Sequence, residues 1–391
     1  FVYLCSPNMD TNKMKKVLSI FATALLLASC NPKKDVKPLD ASNFQKEVDG
    51  KQVSLYTMHN GDLTMQVTNF GGRVVSLWTP DRRGSFEDIV LGYDNIDKYL
   101  NDNGEPYLGA VLGRCANRIA NATFSLNDST YTLTKNDGEN TLNGGLKGAD
   151  RLVWDVVASN DSVIEMHTVF ADGQDGFPGN LDVTLSYTLT HDNQLQIRYR
   201  ATTDAPTLCD LSNQVFFNLK GEGTGTILDH ELQINSRYFT SINDQRVNSG
   251  KFIGVKNTPF DFREKKAIAA NINDNDIQLL NGKGYDHNWV VDKNTPDAYS
   301  WNATLTESKS GREVQVWSDQ CGIVFNSGNA FDGKGMGKSG KPYASRDGLA
   351  FTTQHFPNAI NEPTLAPAPV LNPGEEYHHL CIYKFGVLPK K

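Results

Sequence analysis

Two nine-residue stretches each set an uncharged polar side chain among apolar neighbours: "LSNQVFFNL" at 211–219, around Gln214, and "LAFTTQHFP" at 349–357, around Thr352. Both look like the lips of an active site. An amide and a hydroxyl exchange hydrogen bonds, but neither takes or gives a proton near neutral pH. These positions therefore suit holding a polar ligand, not general acid–base chemistry. Other reactive groups are sparse. His378 and His379 are adjacent in a strand-like run, so they point to opposite faces and cannot form one site. Cys115, Cys209, Cys321 and Cys381 are far apart, with no CxxC and no His at ligand spacing. That argues against a zinc site and makes buried free thiols the default. Gly221, Gly223 and Gly225 lack the strand–glycine–helix setting of a dinucleotide loop and read as a turn. HExxH, GxSxG and P-loop motifs are absent.

The elements that must position these residues are strands. In "LDVTLSYTLTHDNQLQIRYRATT", Val183, Leu185, Tyr187 and Leu189 alternate with polar residues. Leu195, Ile197 and Tyr199 do the same after the turn-forming "HDNQ", which predicts a hairpin. "TFSLNDSTYTLT" repeats the pattern around Asn127 and Asp128, and "LTMQVTNFGGRVVSLW" gives two runs split by Gly71 and Gly72. "REVQVWSDQCGIVFNSG" and "EYHHLCIYKFGV" add strands near the end. The best helical candidate is the short "KKAIAANINDNDIQLL". Many short strands with Gly, Asn and Asp turns predict one all-β domain, a large sandwich or barrel, over 45–388. A chain of 391 residues, 39% hydrophobic, has apolar material for a sizeable core. Its net charge of −7, with no long Lys/Arg cluster, argues against nucleic acid as a partner.

The beginning of the chain carries a different message. Residues 1–13 lack an initiating Met and any periodicity and are set aside as extraneous upstream sequence. Over 14–29, "MKKVLSIFATALLLAS" has a basic start and an apolar run too short to span a bilayer, the pattern of a secretory signal. The ending "LASC" resembles the lipobox of bacterial lipoproteins, which makes Cys30 the lipidated first residue of the mature chain. The polar, Pro- and Lys-rich segment 30–44 is then a tether. The expectation is a lipid-anchored protein of the bacterial cell envelope, in the periplasm or at the outer membrane.

Four further stretches, read in order with the two above, resemble the aldose 1-epimerase (galactose mutarotase) family. They are "LGAVLGRCANRIANATF" (108–124), "TLNGGLKGADRLVWDV" (141–156), "DGFPGNLDVTLSY" (175–187) and "GKGYDHNWVV" (282–291). The resemblance runs from about residue 45 to 388. It implies an antiparallel β-supersandwich that binds a pyranose in an open cleft without a cofactor. Mutarotation opens and recloses the sugar ring, so a base must take the C1 hydroxyl proton and an acid must protonate the ring oxygen. The family places a Glu in an "LETQ"-like stretch, here "FTTQ", which puts Thr352 at the base position. Its acid lies in "NHxYFNL", here "NQVFFNL", which gives Gln214, and its second His lies in "LHGG", here "LNGG", which gives Asn143. A Gln common in the family is Val324 here.

The resemblance also assigns Asn117, Arg118 and Asp286 to sugar contact or to lining the cleft, and an Arg fork and a carboxylate suit hydroxyl recognition. Each has a bland counterpart: a structural ion pair for Arg118 and a turn cap for Asp286. Phe177 and Trp289 are candidates for stacking on a sugar or for the core. His287 and His355 are candidate replacement acids or bases, or structural histidines. Two functions follow: an envelope protein that binds a mono- or oligosaccharide without the usual proton relay, or an active epimerase whose chemistry has moved to Asp286 with His355 or His287.

Overall fold

A computed structural model describes residues 36–101, 107–296 and 298–389. Cys30, the signal-like segment and residues 1–13 lie outside the described residues. From Val36 onward the chain forms one compact unit. The end of the expected tether is docked rather than free: Phe44 is fully buried, and the Leu39 backbone exchanges hydrogen bonds of 2.8 and 3.0 Å with the Gln66 amide.

The alternating run at 181–203 forms a hairpin, Leu181–Leu189 against Gln194–Thr203, with Leu189 opposite Leu195. Its apolar positions are buried and its polar ones half exposed or exposed, as a sheet with one wet face requires. This hairpin sits within a nine-stranded antiparallel sheet that also holds Val163–Phe170, Tyr377–Val387, Arg312–Ser318 and Ser300–Thr306. A second, six-stranded antiparallel sheet runs Phe216–Phe217, Leu349–Gln354, Gly322–Asn326, Asp286–Val290, Tyr238–Ile242 and Asn248–Gly254. The stretch around "VQVWSDQCGIVF" therefore passes from one sheet to the other at Asp319–Cys321. Leu63–Thr68 and Arg73–Pro80, split at Gly71 and Gly72, belong to a four-stranded sheet. The Asn127–Asp128 turn joins Thr123–Leu126 to Ser129–Thr132.

One core cluster contains inward residues of both large sheets: Leu185, Tyr199 and Val316 from the first, Trp289, Phe325 and Phe351 from the second. The Tyr383 hydroxyl crosses between them to the Phe351 carbonyl at 2.9 Å. Two sheets sharing one core in this way make a β-sandwich.

The helical expectation over 265–280 is mostly wrong. Lys266–Ala267 pairs as a strand with Glu231 and Leu232, a single 3₁₀ turn covers Ile268–Ala270, and only Ile277–Gly282 is α-helical. The Asn- and Asp-rich stretch 271–276 explains the break, because short polar side chains compete for the backbone. Asp276 caps what remains, accepting the Gln278 N–H at 2.8 Å, and Lys283 ends it in the left-handed region. The four body cysteines are free; three are buried and Cys321 is half-buried.

Candidate functional site

Alternation across three neighbouring strands builds the floor of the site. Asn288, Val324 and Thr352 are directly opposite one another, as are Asp286, Asn326 and Ala350 one pair further along. Side chains two apart share a face, so Asp286, Val324, Asn326, Thr352 and Gln354 line one cleft. The intervening residues His287, Trp289, Phe325 and Phe351 point the other way, into the core. The opposite wall comes from the short strand Arg118–Ile119 with its partner Thr141–Leu142, the flanking Asn117 and Asn143, and Gln214. The cleft is open and holds about 200 Å³.

Asn117 and Asn143 have φ of 65° and 37°, in the left-handed region that Asn enters at lower cost than most residues. They fasten the wall together: the Asn143 side-chain oxygen accepts the Asn117 N–H at 2.7 Å, and the Asn143 N–H donates to the Asn117 carbonyl at 2.9 Å. Gly144 follows with φ of 84°, and any Cβ there would collide with the Gly113 carbonyl. Gln214 is held by its backbone, which exchanges bonds of 2.9 and 3.0 Å with Ala110 and Gly109. Its amide is half exposed at the cleft. Thr352 is nearly buried, and its hydroxyl donates to the Asn213 carbonyl at 3.2 Å.

Arg118 lines the cleft, and its Nε donates to Asp137 Oδ2 at 2.6 Å. Asp286 sits at the start of its strand and accepts the Asn326 amide N–H at 3.1 Å. Burial raises the pKa of its carboxyl, while the nearby Arg118 and Arg246 pull it back down. Arg246, Tyr107 and Gln354 also line the cleft and were not singled out from the sequence. Arg246 comes from a surface turn, and no spacing rule connects "NDQRV" to a cleft built from strands far along the chain.

The structure brings together all six sequence-derived positions of the body, Asn117, Arg118, Asn143, Gln214, Asp286 and Thr352. Val324 lines the cleft too, while the histidine and aromatic candidates lie elsewhere. His287 is buried against Phe239, Phe260 and Trp289, and its Nδ1 accepts the Asp286 N–H at 3.1 Å. Burial lowers its pKa to about 3, so it stays neutral and off the cleft. His355 lines a separate cleft of about 790 Å³, 3.8 Å from the Cys321 sulfur. Neither histidine supplies an acid or base to the site. Phe177 packs on Phe124 and under the Arg114 guanidinium, and the Trp289 indole donates to the Phe260 carbonyl at 3.2 Å; both are buried core residues. His378 is exposed and His379 buried, on opposite faces as expected. No group of three or more metal-ligating side chains converges among the described residues.

An antiparallel supersandwich with a polar, open cleft across one sheet defines the class of galactose mutarotase-like proteins. Residues 54–384 match the aldose 1-epimerase family model, and the chain belongs to that family. It is 36% identical over 336 residues to galactose mutarotase from Bos taurus, covering 86% of this chain and 94% of that protein. Against aldose 1-epimerase of Escherichia coli K12 the identity is 34% over 344 residues, covering 86% and 96%. Among solved structures, an aldose epimerase homologue from C. elegans superposes with a TM-score of 0.79 at 29% identity, covering 86% of this chain and all of that one. Galactose 1-epimerase from Lactobacillus acidophilus gives 0.76 at 25%, covering 88% and 97%.

Proposed function

We propose that this protein is a sugar-binding member of the aldose 1-epimerase family that lacks the family's usual proton relay. The observation that carries this is the chemistry of the cleft. Gln214, Thr352 and Asn143, the positions that resemble the family's acid, base and second His, are an amide, a hydroxyl and an amide, and none titrates near neutral pH. The groups suited to holding hydroxyls, Asn117, Arg118 and Asp286, stand in the same cleft. Polarimetry on freshly dissolved α-glucose and α-galactose tests the missing relay, with calorimetry on the same sugars for binding. Binding without acceleration of mutarotation is expected; acceleration insensitive to Gln214→Ala and Thr352→Ala would overturn the proposal.

One observation favours a second reading, an active epimerase with relocated chemistry. Asp286 is a carboxylate in the cleft whose pKa burial raises, the direction a general base needs. His287 and His355 are out of reach, so this reading rests on Asp286 as base with the Tyr107 hydroxyl as the proton donor, since a guanidinium keeps its protons. Loss of a measurable rate in Asp286→Asn would support it.

We also propose attachment to the bacterial envelope through lipidated Cys30, from the "LASC" ending of the signal-like segment. Several acyl chains on one residue anchor far more firmly than one. In a host with lipoprotein processing, wild type should fractionate with membranes and Cys30→Ala should not; equal recovery in the soluble fraction would exclude the anchor.

A further inference from the structure

The cleft holds two guanidinium groups. Arg246 reaches it from the turn between Tyr238–Ile242 and Asn248–Gly254. Asp137 binds both: its Oδ2 accepts from Arg118 Nε at 2.6 Å and its Oδ1 accepts from Arg246 Nη2 at 3.3 Å. One carboxylate is thus divided between two cations, and the only other carboxylate beside them among the described residues is Asp286, near enough for both arginines to lower its pKa. Asp286, the one carboxylate lining the cleft among the described residues, instead receives the Asn326 amide.

The backbone under Arg246 is a second, independent observation. Its φ is +62°, in a turn closed by Arg246 N–H to Asn243 O and Asn243 N–H to Val247 O, both 2.9 Å. This is the position after a tight turn where Gly is usual, because only Gly adopts it freely. A long cationic side chain held in an unfavourable backbone region, at the mouth of a cleft, points to a use for that side chain.

A neutral pyranose offers hydroxyls that both donate and accept, and a guanidinium only donates. Two planar forks converging on one site match the oxygens of a carboxylate or phosphate instead. We infer that the cleft selects a pyranose bearing an anionic group, a carboxylate as in a uronic acid or a phosphate, gripped by Arg246 together with Arg118. Asp286 and the asparagines then serve the ring hydroxyls. This inference rests on the sugar-binding proposal and narrows its ligand.

The test is calorimetry of wild type, Arg246→Gly and Arg246→Lys against D-galacturonate, D-glucuronate, D-glucose 6-phosphate, D-galactose and D-glucose. Gly removes the charge and relaxes the turn, so the variant folds; Lys keeps the charge without the fork. Wild type should bind at least one anionic sugar about 10-fold or more tighter than its neutral counterpart. That preference should shrink toward unity in Arg246→Gly, fall partway in Arg246→Lys, and weaken with added salt. The uronates and the phosphate separate the two anionic groups. Neutral sugars binding as well as anionic ones, or a preference that survives in Arg246→Gly, overturns the inference and leaves sugar binding standing. Failure of every sugar, charged or neutral, to bind removes the sugar-binding proposal itself, and the inference with it.

Discussion

At the scale of single residues, the cleft separates holding a ligand from moving its protons. Arg118 is almost buried and paired, and Asp286 sits on the cleft floor, so both can offer directional, charge-assisted hydrogen bonds to hydroxyls. Arg118→Ala or Asp286→Ala should each weaken sugar binding by about 1–3 kcal/mol by calorimetry. Unchanged affinity in both would place the ligand elsewhere. Proton transfer is a different matter, because opening a ring needs a base at O1 and an acid at O5 in the same step. Groups that act as a unit behave non-additively. Gln214→His or Thr352→Glu alone should therefore stay at background in polarimetry, whereas the double variant, better still with Asn143→His, should rise clearly above it. Its rate should fall on both sides of a pH optimum as the new Glu protonates and the new His deprotonates. Val324 lies directly opposite Thr352 on the adjacent strand, so from that neighbour a Glu at 352 meets an apolar side chain that offers no hydrogen bond. Thr352→Glu with Val324→Gln is the variant that addresses this.

At the scale of elements, the turn carrying Arg246 gives a prediction with two readouts. Left-handed backbone costs a residue with a Cβ about 1–2 kcal/mol, and Gly relieves it. The ion pair lost with Arg246 is one-third exposed on the Arg side and has little weight against that. Arg246→Gly should hold or raise the urea midpoint while losing discrimination between charged and neutral sugars. A clear fall in the midpoint would mean the side chain is there for the fold. Strands were legible where one face is wet: at 181–203 the alternation specifies both pairing and register. The helix was not, because "KAIAAN" satisfies helical spacing while its first two residues, Lys266 and Ala267, pair with Leu232 and Glu231. Site positions on strands could be read from motifs, and alternation alone separates Asp286 from His287. Arg246 and Asp137 could not, since turns and loops bring them in by tertiary packing that leaves no period in the sequence. The same limit applies to Phe177 and Trp289: an aromatic residue on a strand looks alike in sequence whether it faces a ligand or a core.

At the scale of the whole molecule, burial of neutral imidazoles makes the domain sensitive to acid. His287 and His230 are both fully enclosed, and burial lowers their pKa values to about 3 and about 4. Both ring nitrogens also matter to the fold, His287 Nδ1 accepting from Asp286 N–H and His230 Nε2 accepting from Leu219 N–H at 3.0 Å. The unfolded chain binds a proton at each imidazole below about pH 6.5, and the folded chain does so only near pH 3–4. Within that window the unfolded state holds more protons, so stability falls as pH falls. At 1.36 kcal/mol per pKa unit, the loss by pH 4 is about 2–4 kcal/mol per histidine. Asp286 and Asp210 work in the other direction: with their pKa values raised by burial, the folded state takes up their protons first, so acidification is favourable at those two sites. Asp319, Glu307 and Asp229, whose pKa values the fold lowers, lose stabilisation as they protonate and so add to the histidines' loss. Urea unfolding at pH 7, 5.5 and 4.5 should show the midpoint dropping steadily, and His287→Gln, which keeps an acceptor near the Asp286 N–H, should start lower at pH 7 and fall less steeply. Parallel slopes for wild type and variant would show that the acid sensitivity originates elsewhere in the domain.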